Sequence, residues 1–406
     1  MHISLDSALG QQRRLNSVGE TINSIAAPAA AYSLRSLTGG DPKVVRVRRE
    51  SDNTERDFTV SGVNSGALVD FVNGILTVGT AVNGTGSVDN YTVTGASTTG
   101  FSADNSAGGV GSAGFPYTFA DDDVIVVRYT VTNFSSTSSL SPQIRGVSAT
   151  NSTTGKTNAG TAFTANGTYT DTLTATADGT HLMFADGNTG SYTISDFEIV
   201  SHSSNGFVET WYDQSGNGND VTQTTSTKQP RVVIDGSLVV RSTKPSIDFG
   251  GNDLLERETY TQGTLSQPNT FFSVAELDAY TDENRKVYDS HTSGARNMLQ
   301  LNTVGNGQFA HFAGTVRATG EDADADRHLF TSLLNAAASN LRIDGTSKNT
   351  DNASSESMIG IVIGANHNPI ENFWDGDIQE IIVYNSDQTS NFTALETNIN
   401  SHYSIF

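Results

Sequence analysis

The chain has 406 residues, with 44 acidic and 23 basic side chains, 39 glycines and no cysteine. Its formal charge of −21 disfavours nucleic acid and anionic membranes as main partners, because both repel a negative surface. The lack of cysteine excludes disulfides and cysteine-ligated zinc, and no apolar stretch approaches the about 20 residues that a membrane-spanning helix needs.

Residues 1–30 are predicted to form a short N-terminal helical arm. Four apolar residues follow the 3-4-3 spacing of one helical face: Leu15, Val18, Ile22 and Ile25. Pro28 then ends the helix. We expect the arm to dock the chain onto a partner or to form a short coiled coil. The alternative is a helix that lies on its own domain.

The rest of the chain is predicted to be all-β except at its C-terminus. Residues 31–80 and 204–406 combine alternating strands with turns, whereas lysine and arginine nearly vanish between residues 81 and 203. Short alternating strands in that middle region predict a small inserted β-sandwich. A closing amphipathic helix, capped near Asp387 or Ser390, is predicted from one apolar stripe: Phe392, Leu395, Ile399 and Tyr403.

The segment TWYDQSGNGND, Thr210–Asp220, is predicted to be a strand end locked into a tight turn. Asp213 is expected to accept hydrogen bonds from backbone amides two or three residues further on, and Gly216 and Gly218 supply positive φ. Trp211 and Tyr212 alternate across the strand, so one should face the core and the other the surface. Stacking of either ring on a sugar, and catalysis by Asp213, are the alternatives.

An ordered series of motifs indicates a family. AYSLRSL, VRVRRESDNTERDF, ETWYDQSGNGNDVTQTTSTKQPRVV, PSIDFGGNDLL and FWDGDIQEIIVYN together resemble the arabinofuranosidase B catalytic-domain family. The series is also similar to bacteriophage structural proteins that carry a version of that domain. The resemblance covers roughly residues 31–75 and 205–406. It implies a concanavalin A-like jelly-roll β-sandwich, interrupted by a second, smaller sandwich similar to carbohydrate-binding modules.

The family resemblance implies a retaining glycosidase with a glutamate nucleophile and an aspartic acid as general acid. The stretch that should supply the nucleophile, residues 297–312, contains no acidic residue. Asn366 stands where the general acid is expected, and Glu371 is nearby but shifted. A new carboxylate pair is left open among four residues: Glu209, Asp213, Asp375 and Asp377. The sequence therefore predicts that the chain is not an enzyme.

Candidate binding residues come from side chains suited to sugars or hard cations. Aromatic faces stack on sugar rings and amides bind hydroxyl groups, which selects five glycan-binding candidates: Trp211, Tyr212, Trp374, Asn366 and His367. Acidic, oxygen-rich clusters suit calcium. The candidate calcium ligands are Asp375 and Asp377, and no other cofactor is predicted.

These features predict a bacteriophage virion structural protein, a fibre, spike or appendage subunit that attaches to host surface glycan. Its expected partners are other virion proteins, reached through the N-terminal arm, and further copies of itself, a trimer by analogy. The lack of a signal-peptide-like apolar run fits localisation in the virion. A purely structural capsid or tail decoration protein is the alternative, and a glycan depolymerase is the less favoured third interpretation.

Overall fold

The structure is a computed structural model. It describes residues 20–83, 91–105, 108, 111–135, 139–145, 160–186, 190–201, 204–280, 283–302, 307–367 and 370–406. The chain divides into two compact units. The first comprises Met1–Val69, Asn205–Ile234 and Leu238–Phe406, and the second comprises Asp70–Ser204 and Asp235–Ser237.

Helices are few in the described residues. The α-helices are Ile22–Ile25, Val60–Asn64, Ala67–Asn73 and Phe392–Tyr403. Single 3₁₀ turns lie at Ser226–Lys228, Ala336–Ala338 and Thr389–Asn391. Among the described residues, none of these helices is long and apolar enough to cross a membrane. The remaining elements are β-strands, which confirms the predicted all-β class.

The first unit contains two antiparallel sheets, here called sheet A and sheet B. Sheet A has the strand order Thr346–Asn349, Asn340–Ile343, His328–Leu334, Asn269–Leu277 and Asp375–Tyr384. The free side of Asp375–Tyr384 pairs with two short strands, Ile247–Gly250 and Ala30–Ser33. Sheet A therefore includes the DGDIQEIIVYN motif as a central strand.

Sheet B is longer. Its strand order is Val316–Ala318, Gln308–Phe312, Met298–Asn302, Arg285–Asp289, Ile361–Ile363, Leu255–Arg257, Val221–Thr222, Gly206–Trp211, Lys43–Arg49 and Glu55–Thr59. Strand Arg231–Ile234 joins the two sheets, because it pairs with Gly206–Trp211 and with Ile247–Gly250. Three short strands complete the set: Ser237–Leu238, Val240–Arg241 and Lys244–Pro245.

Sheets A and B pack face to face through buried aromatic side chains. The rings of Phe271 on sheet A and Tyr288 on sheet B are stacked, with centroids 4.8 Å apart. Trp211 of sheet B meets Tyr32 of sheet A at 5.9 Å. The indole of Trp211 and the phenol of Tyr32 are both fully buried. These contacts confirm the predicted sandwich and show that Trp211 is the inward-facing member of its aromatic pair.

The C-terminal helix covers the outer face of sheet A. All four residues of its predicted stripe are buried, in one cluster with Phe272 and Ile382 of that sheet. The helix begins at Phe392, and the carboxylate of Asp387 instead accepts the backbone N–H of Thr389 at 2.8 Å, in the preceding turn. The predicted amphipathic stripe is therefore confirmed, whereas the predicted cap is wrong, because the N-cap residue is Asn391 and its side chain makes no capping hydrogen bond.

The described part of the N-terminal arm packs on its own domain. Ile22 is fully buried in the cluster beneath the C-terminal helix, and Ile25 packs against the same cluster. Ile22 is therefore not available for docking, which corrects the prediction for this residue, whereas docking through the half-buried Ile25 stays a prediction. The other two docking residues, Leu15 and Val18, lie outside the described residues.

The second unit is a smaller β-sandwich. One sheet has the order Pro142–Arg145, Gly179–Asp186, Gly111–Phe119 and Val82–Asn83. The other has the order Gly167–Thr174, Val124–Thr132, Gly190–Ser201, Phe101–Asn105 and Thr92–Thr94, with Ile75–Leu76 also pairing with Gly190–Ser201. Phe115 and Phe197 stack between the two sheets at 3.7 Å. The unit therefore has an aromatic core of its own.

Candidate functional site

One face of sheet B carries a row of seven side chains on seven neighbouring strands, six of them polar and one, Val362, apolar. Residues directly opposite each other on neighbouring strands project from the same face of a sheet. In order of pairing, the row is Asp57, Arg46, Thr210, Thr222, Glu256, Val362 and Asp289. The residues that alternate with them along the strands, such as Trp211 and Tyr288, fill the core. We call this set the polar row.

The first end of the polar row is a network of ion pairs. Arg46 Nε lies 3.0 Å from Glu55 Oε2, and Lys43 Nζ lies 2.7 Å from Asp57 Oδ2. The Tyr212 hydroxyl donates to Asp57 Oδ1 at 2.8 Å. The hydrogen bond from Lys43 is the main reason that the pKa of Asp57 is lowered, and burial raises the pKa of Tyr212 to about 12. Tyr212 is thus partly exposed at this end, with its hydroxyl engaged.

A cleft lies at the centre of the row. Its volume is about 630 Å³, and its lining is polar: Asp220, Thr222, Thr224, Glu256, Arg257, Glu258 and Thr259. Thr222 and Glu256 are cross-strand partners and belong to the polar row. The volume falls within the range of about 300–1,000 Å³ that small-ligand sites occupy. The cleft therefore offers a ligand both carboxylate acceptors and hydroxyl or guanidinium donors.

The second end of the row is built around a buried carboxylate. Asp289 is fully buried, and Arg296 Nη2 donates to its Oδ2 at 2.5 Å. The same guanidinium nitrogen lies 2.6 Å from Asn366 Oδ1. The backbone N–H of His367 also points to Asp289 Oδ2, at 3.3 Å. Arg296 and Asp289 thus fix the loop that carries Asn366 and His367.

A pair of histidines lies beside this carboxylate. His291 Nε2 is 3.1 Å from Glu256 Oε2, and the rings of His291 and His367 have centroids 3.9 Å apart with a tilt of 35°. Burial, followed by the neighbouring His291, lowers the pKa of His367. One ligand atom from each of Glu256, His291 and His367 lies within 4.8 Å of the others, a grouping that could hold a metal ion.

The structure separates the five glycan-binding candidates. Asn366 and His367 join the second end of the polar row, and Tyr212 lies at its first end. Trp211 and Trp374 are fully buried, so neither indole can present a face to a sugar, which corrects the prediction for both. Both tryptophans therefore contribute to packing of the core and not to the surface.

Glu256, Asp289 and Arg296 belong to this site but were not among the residues predicted from the sequence. Glu256 and Asp289 follow the buried residues Leu255 and Tyr288, so strand alternation does indicate which way they point. The alternation does not reveal that two strands 30 residues apart lie on either side of Ile361–Ile363. That neighbourhood depends on pairings that are distant in sequence.

The turn Thr210–Asp220 is structural, as predicted. Asp213 Oδ1 accepts the backbone N–H of Ser215, two residues on, at 2.8 Å, and the N–H of Ala31 at 2.8 Å. Gly216 and Gly218 adopt φ of 87° and 71°. The carboxylate is therefore committed to holding the turn against strand Ala30–Ser33.

The candidate calcium ligands face different arginines. Asp375 Oδ2 lies 3.3 Å from Arg285 Nη1, whereas the buried Asp377 forms an ion pair with Arg241. Burial raises the pKa of Asp377 to about 7. Asp377 also lies close to Asp248 and Asp278, and Arg241 supplies positive charge to that acidic group. Calcium binding at this position stays a prediction.

No family model matches the chain, and no curated protein matches its sequence. Solved structures with a similar fold include Trypanosoma rangeli sialidase, at 12% identity and a TM-score of 0.34, covering 48% of this chain and 31% of that one. Domain 4 of AbnA, a GH43 extracellular arabinanase from Geobacillus stearothermophilus, aligns at 12% identity and a TM-score of 0.32, covering 39% and 79%. An arabinofuranosidase complexed with arabinofuranosyl-α-1,2-xylobiose aligns at 14% identity and a TM-score of 0.39, covering 66% of this chain and 60% of that one.

These structures are glycoside hydrolases or a domain of one, so the prediction that the chain is not an enzyme is contradicted and we withdraw it. The chain spans 31% of the length of the sialidase and 60% of that of the arabinofuranosidase. At these identities and TM-scores the likeness concerns the fold alone. The activities of those enzymes are therefore not carried over to this chain.

Proposed function

We propose that the chain binds carbohydrate on the polar row of sheet B, with the central cleft as the principal subsite. The observation that carries the proposal is the row itself. Six polar side chains cross one sheet face, and two of them, Thr222 and Glu256, line a polar cleft of about 630 Å³. Sugars present many hydroxyl groups, each both donor and acceptor, and such a surface can satisfy them without a net charge on the ligand.

The fixed geometry of the row favours binding. Arg46, Asp57, Asp289 and Arg296 are already held by ion pairs within the protein, so little side-chain freedom remains to be lost when a ligand binds. The chain carries a formal charge of −21, which repels polyanionic polymers. Neutral polysaccharides are therefore the substrate class that we propose.

The setting we propose for this binding is the one that the sequence motifs imply. The chain would be a subunit of a bacteriophage fibre, spike or appendage and would attach the particle to host surface glycan. Other virion proteins and further copies of the chain, as a trimer, would be its partners. A decoration protein that binds no glycan is the alternative within the same setting.

Glycoside hydrolysis is a second candidate function, favoured by the placement of two carboxylates. Glu256 and Asp289 lie on the same sheet face with one strand between them. Strand spacing of about 4.8 Å places their Cα atoms about 10 Å apart. Inverting glycosidases hold their two carboxyl groups about 6.5–9.5 Å apart. Asp289 is fully buried and paired with Arg296, so hydrolysis would also require this carboxylate to become exposed to the substrate.

The test mixes purified protein with a panel of neutral and acidic polysaccharides and follows retention on the polymer and release of reducing ends. We expect wild-type protein to be retained on a neutral polymer, and Glu256→Gln to weaken retention about tenfold, which equals about 1.4 kcal/mol. Glu321→Gln, at an exposed glutamate that belongs neither to the row nor to the lining of the cleft, is the matched control. Unchanged retention of Glu256→Gln would overturn the proposed site.

Release of reducing ends separates the two candidate functions. Hydrolysis at the row predicts release by wild-type protein and its loss in both Glu256→Gln and Asp289→Asn. Retention without release would support binding alone. Circular dichroism of Asp289→Asn checks that the loss of this buried ion pair has not unfolded the domain.

A further inference from the structure

Three side chains from separate parts of the first unit converge beside the central cleft. Glu256 lies on strand Leu255–Arg257, His291 follows strand Arg285–Asp289, and His367 lies in the loop after Ile361–Ile363. One ligand atom from each lies within 4.8 Å of the other two, and Glu256 Oε2 and His291 Nε2 are already 3.1 Å apart. A tetrahedral ion with bonds of about 2.1 Å needs its ligand atoms about 3.4 Å apart, so small side-chain rotations would suffice.

We propose that Glu256, His291 and His367 bind a divalent transition-metal ion, with Zn²⁺ as the best-matched metal. Two imidazoles and one carboxylate form a donor set that suits zinc, whereas calcium and magnesium prefer oxygen ligands. All three side chains are half-buried, so they are neither sealed in the core nor freely mobile.

A second, independent observation concerns His367. Its Nδ1 is buried and has no hydrogen-bond partner among the described residues. A buried ring nitrogen without a partner destabilises the folded protein, because it has lost its hydrogen bonds with water and has formed none within the protein. A metal ion provides a partner for an imidazole lone pair, and this ring already lies against that of His291.

The backbone around both histidines is held in place. The N–H of His291 donates to Ile359 O at 2.8 Å, and the N–H of His367 faces Asp289 Oδ2 at 3.3 Å. Arg296 holds Asp289 and Asn366 together next to this loop. These backbone hydrogen bonds limit how far the two histidines can move relative to Glu256. Asn366 and Asp289 are thus positioning residues for the proposed metal site.

The site also has a bearing on the proposed carbohydrate function. Glu256 lines the central cleft, so an ion held by three protein side chains would keep one coordination position for water or a sugar hydroxyl from that cleft. This last step rests on the proposed function. The binding of the metal ion does not.

The test uses the full chain, treated with a chelator, dialysed, and titrated with zinc chloride in an isothermal titration calorimeter. We expect one Zn²⁺ per chain at this site, with at least tenfold weaker binding in His291→Ala and in His367→Ala. His181→Ala, a half-buried histidine of the second unit, is the matched control and should bind as wild type does. Calcium chloride in place of zinc should give no binding that is weakened in His291→Ala or in His367→Ala.

A second measurement needs no variant. Cobalt(II) bound to wild-type protein should show the intense visible absorption of four- or five-coordinate cobalt with nitrogen ligands. Absence of zinc binding, wild-type affinity in both histidine variants, or the weak spectrum of six-coordinate aqueous cobalt would overturn the proposal.

The outcome is separable from that of the carbohydrate test. Zinc binding without retention on any polysaccharide would reject the proposed function and leave the metal site. Retention on a polysaccharide without zinc binding would reject the metal site alone.

Discussion

At the scale of single residues, His328 shows how geometry fixes a protonation state. Its Nδ1 lies 2.7 Å from Asp344 Oδ2 and its Nε2 lies 2.8 Å from Asp324 Oδ1. Because an ionised carboxylate accepts hydrogen bonds and cannot donate them, this arrangement favours the form of His328 in which both ring nitrogens carry protons. Burial lowers the pKa of His328, but the hydrogen bonds with Asp344 and Asp324 outweigh burial, and the net pKa is raised. His328 and the two aspartates line a surface cavity, and Glu321 and Lys348 line it as well.

This geometry predicts a pH-dependent contribution to stability. The folded protein holds the His328 proton more tightly than the unfolded chain, whose histidines have a pKa of about 6.5. The stabilisation is therefore fully present below that pH and is lost as pH rises through the higher folded pKa. We expect the difference in free energy of unfolding between wild type and His328→Gln to be larger at acidic than at alkaline pH, in urea titrations followed by tryptophan fluorescence.

His402 provides a control of opposite sign. Burial, followed by the charge of Arg35, lowers the pKa of His402 to about 4. The contribution of His402 to stability is therefore lost as the pH falls below the pKa of a histidine in the unfolded chain. The difference between wild type and His402→Gln should therefore shrink at acidic pH. A pH-independent difference for His328→Gln would contradict the assignment of a charged imidazole.

At the scale of elements, the turn Thr210–Asp220 ties two distant parts of the chain together. Beyond its bonds to Ala31 and Ser215, the Asp213 carboxylate accepts the N–H of Asn219 at 2.9 Å through Oδ2. Gln214 Nε2 donates to Ser33 O, and its Oε1 accepts the N–H of Leu37. The motif thus joins strand Gly206–Trp211 of sheet B to strand Ala30–Ser33 of sheet A.

Asp213→Ala should lower the free energy of unfolding by about 3 kcal/mol, since hydrogen bonds to a charged group contribute about 1.5–3 kcal/mol each and their donors would be left unpaired. Urea unfolding followed by tryptophan fluorescence measures the loss. Asp351→Ala removes an exposed aspartate and should change stability by less than about 0.5 kcal/mol. Equal stability of the two variants would show that the turn does not depend on Asp213.

Local patterns in the sequence were sufficient for these elements but not for the site. The stripe of the C-terminal helix and the Asx turn of Asp213 depend on residues within one or two turns of each other, so spacing alone predicts them. The polar row depends on which strands are neighbours. Glu256 meets Val362 and Val362 meets Asp289, pairings that span 106 and 73 residues and that no local pattern encodes.

Buried tryptophan shows a second limit of sequence analysis. An indole serves a core and a sugar-binding surface equally well, and the local sequence does not distinguish them. Trp374 lies seven residues after His367 and was predicted, like His367, to bind glycan, yet its side chain is fully buried. Asn366 and His367 instead lie at the second end of the polar row, and their contact with glycan stays a prediction.

At the scale of the whole molecule, the two units have separate hydrophobic cores and can be followed by different spectroscopic signals. The second unit is held by an aromatic cluster in which Phe115 and Phe197 stack at 3.7 Å. The chain has two tryptophans, Trp211 and Trp374, and both belong to the first unit. Tryptophan fluorescence therefore follows the first unit, while far-ultraviolet circular dichroism follows the strands of both.

Phe115→Ala should destabilise the second unit by about 3–5 kcal/mol, because it removes a fully buried ring and leaves a cavity. In urea titrations we expect part of the circular dichroism signal to be lost at lower denaturant, while the fluorescence midpoint stays in place. Leu395→Ala, in the cluster beneath the C-terminal helix, should do the converse and lower the fluorescence midpoint. If Phe115→Ala shifted both signals together, the two units would unfold as one cooperative structure, since a two-state transition gives coincident curves for all probes. Separate transitions would instead mean that the polar row of sheet B keeps its geometry, and its ligand binding, when the inserted sandwich is unfolded.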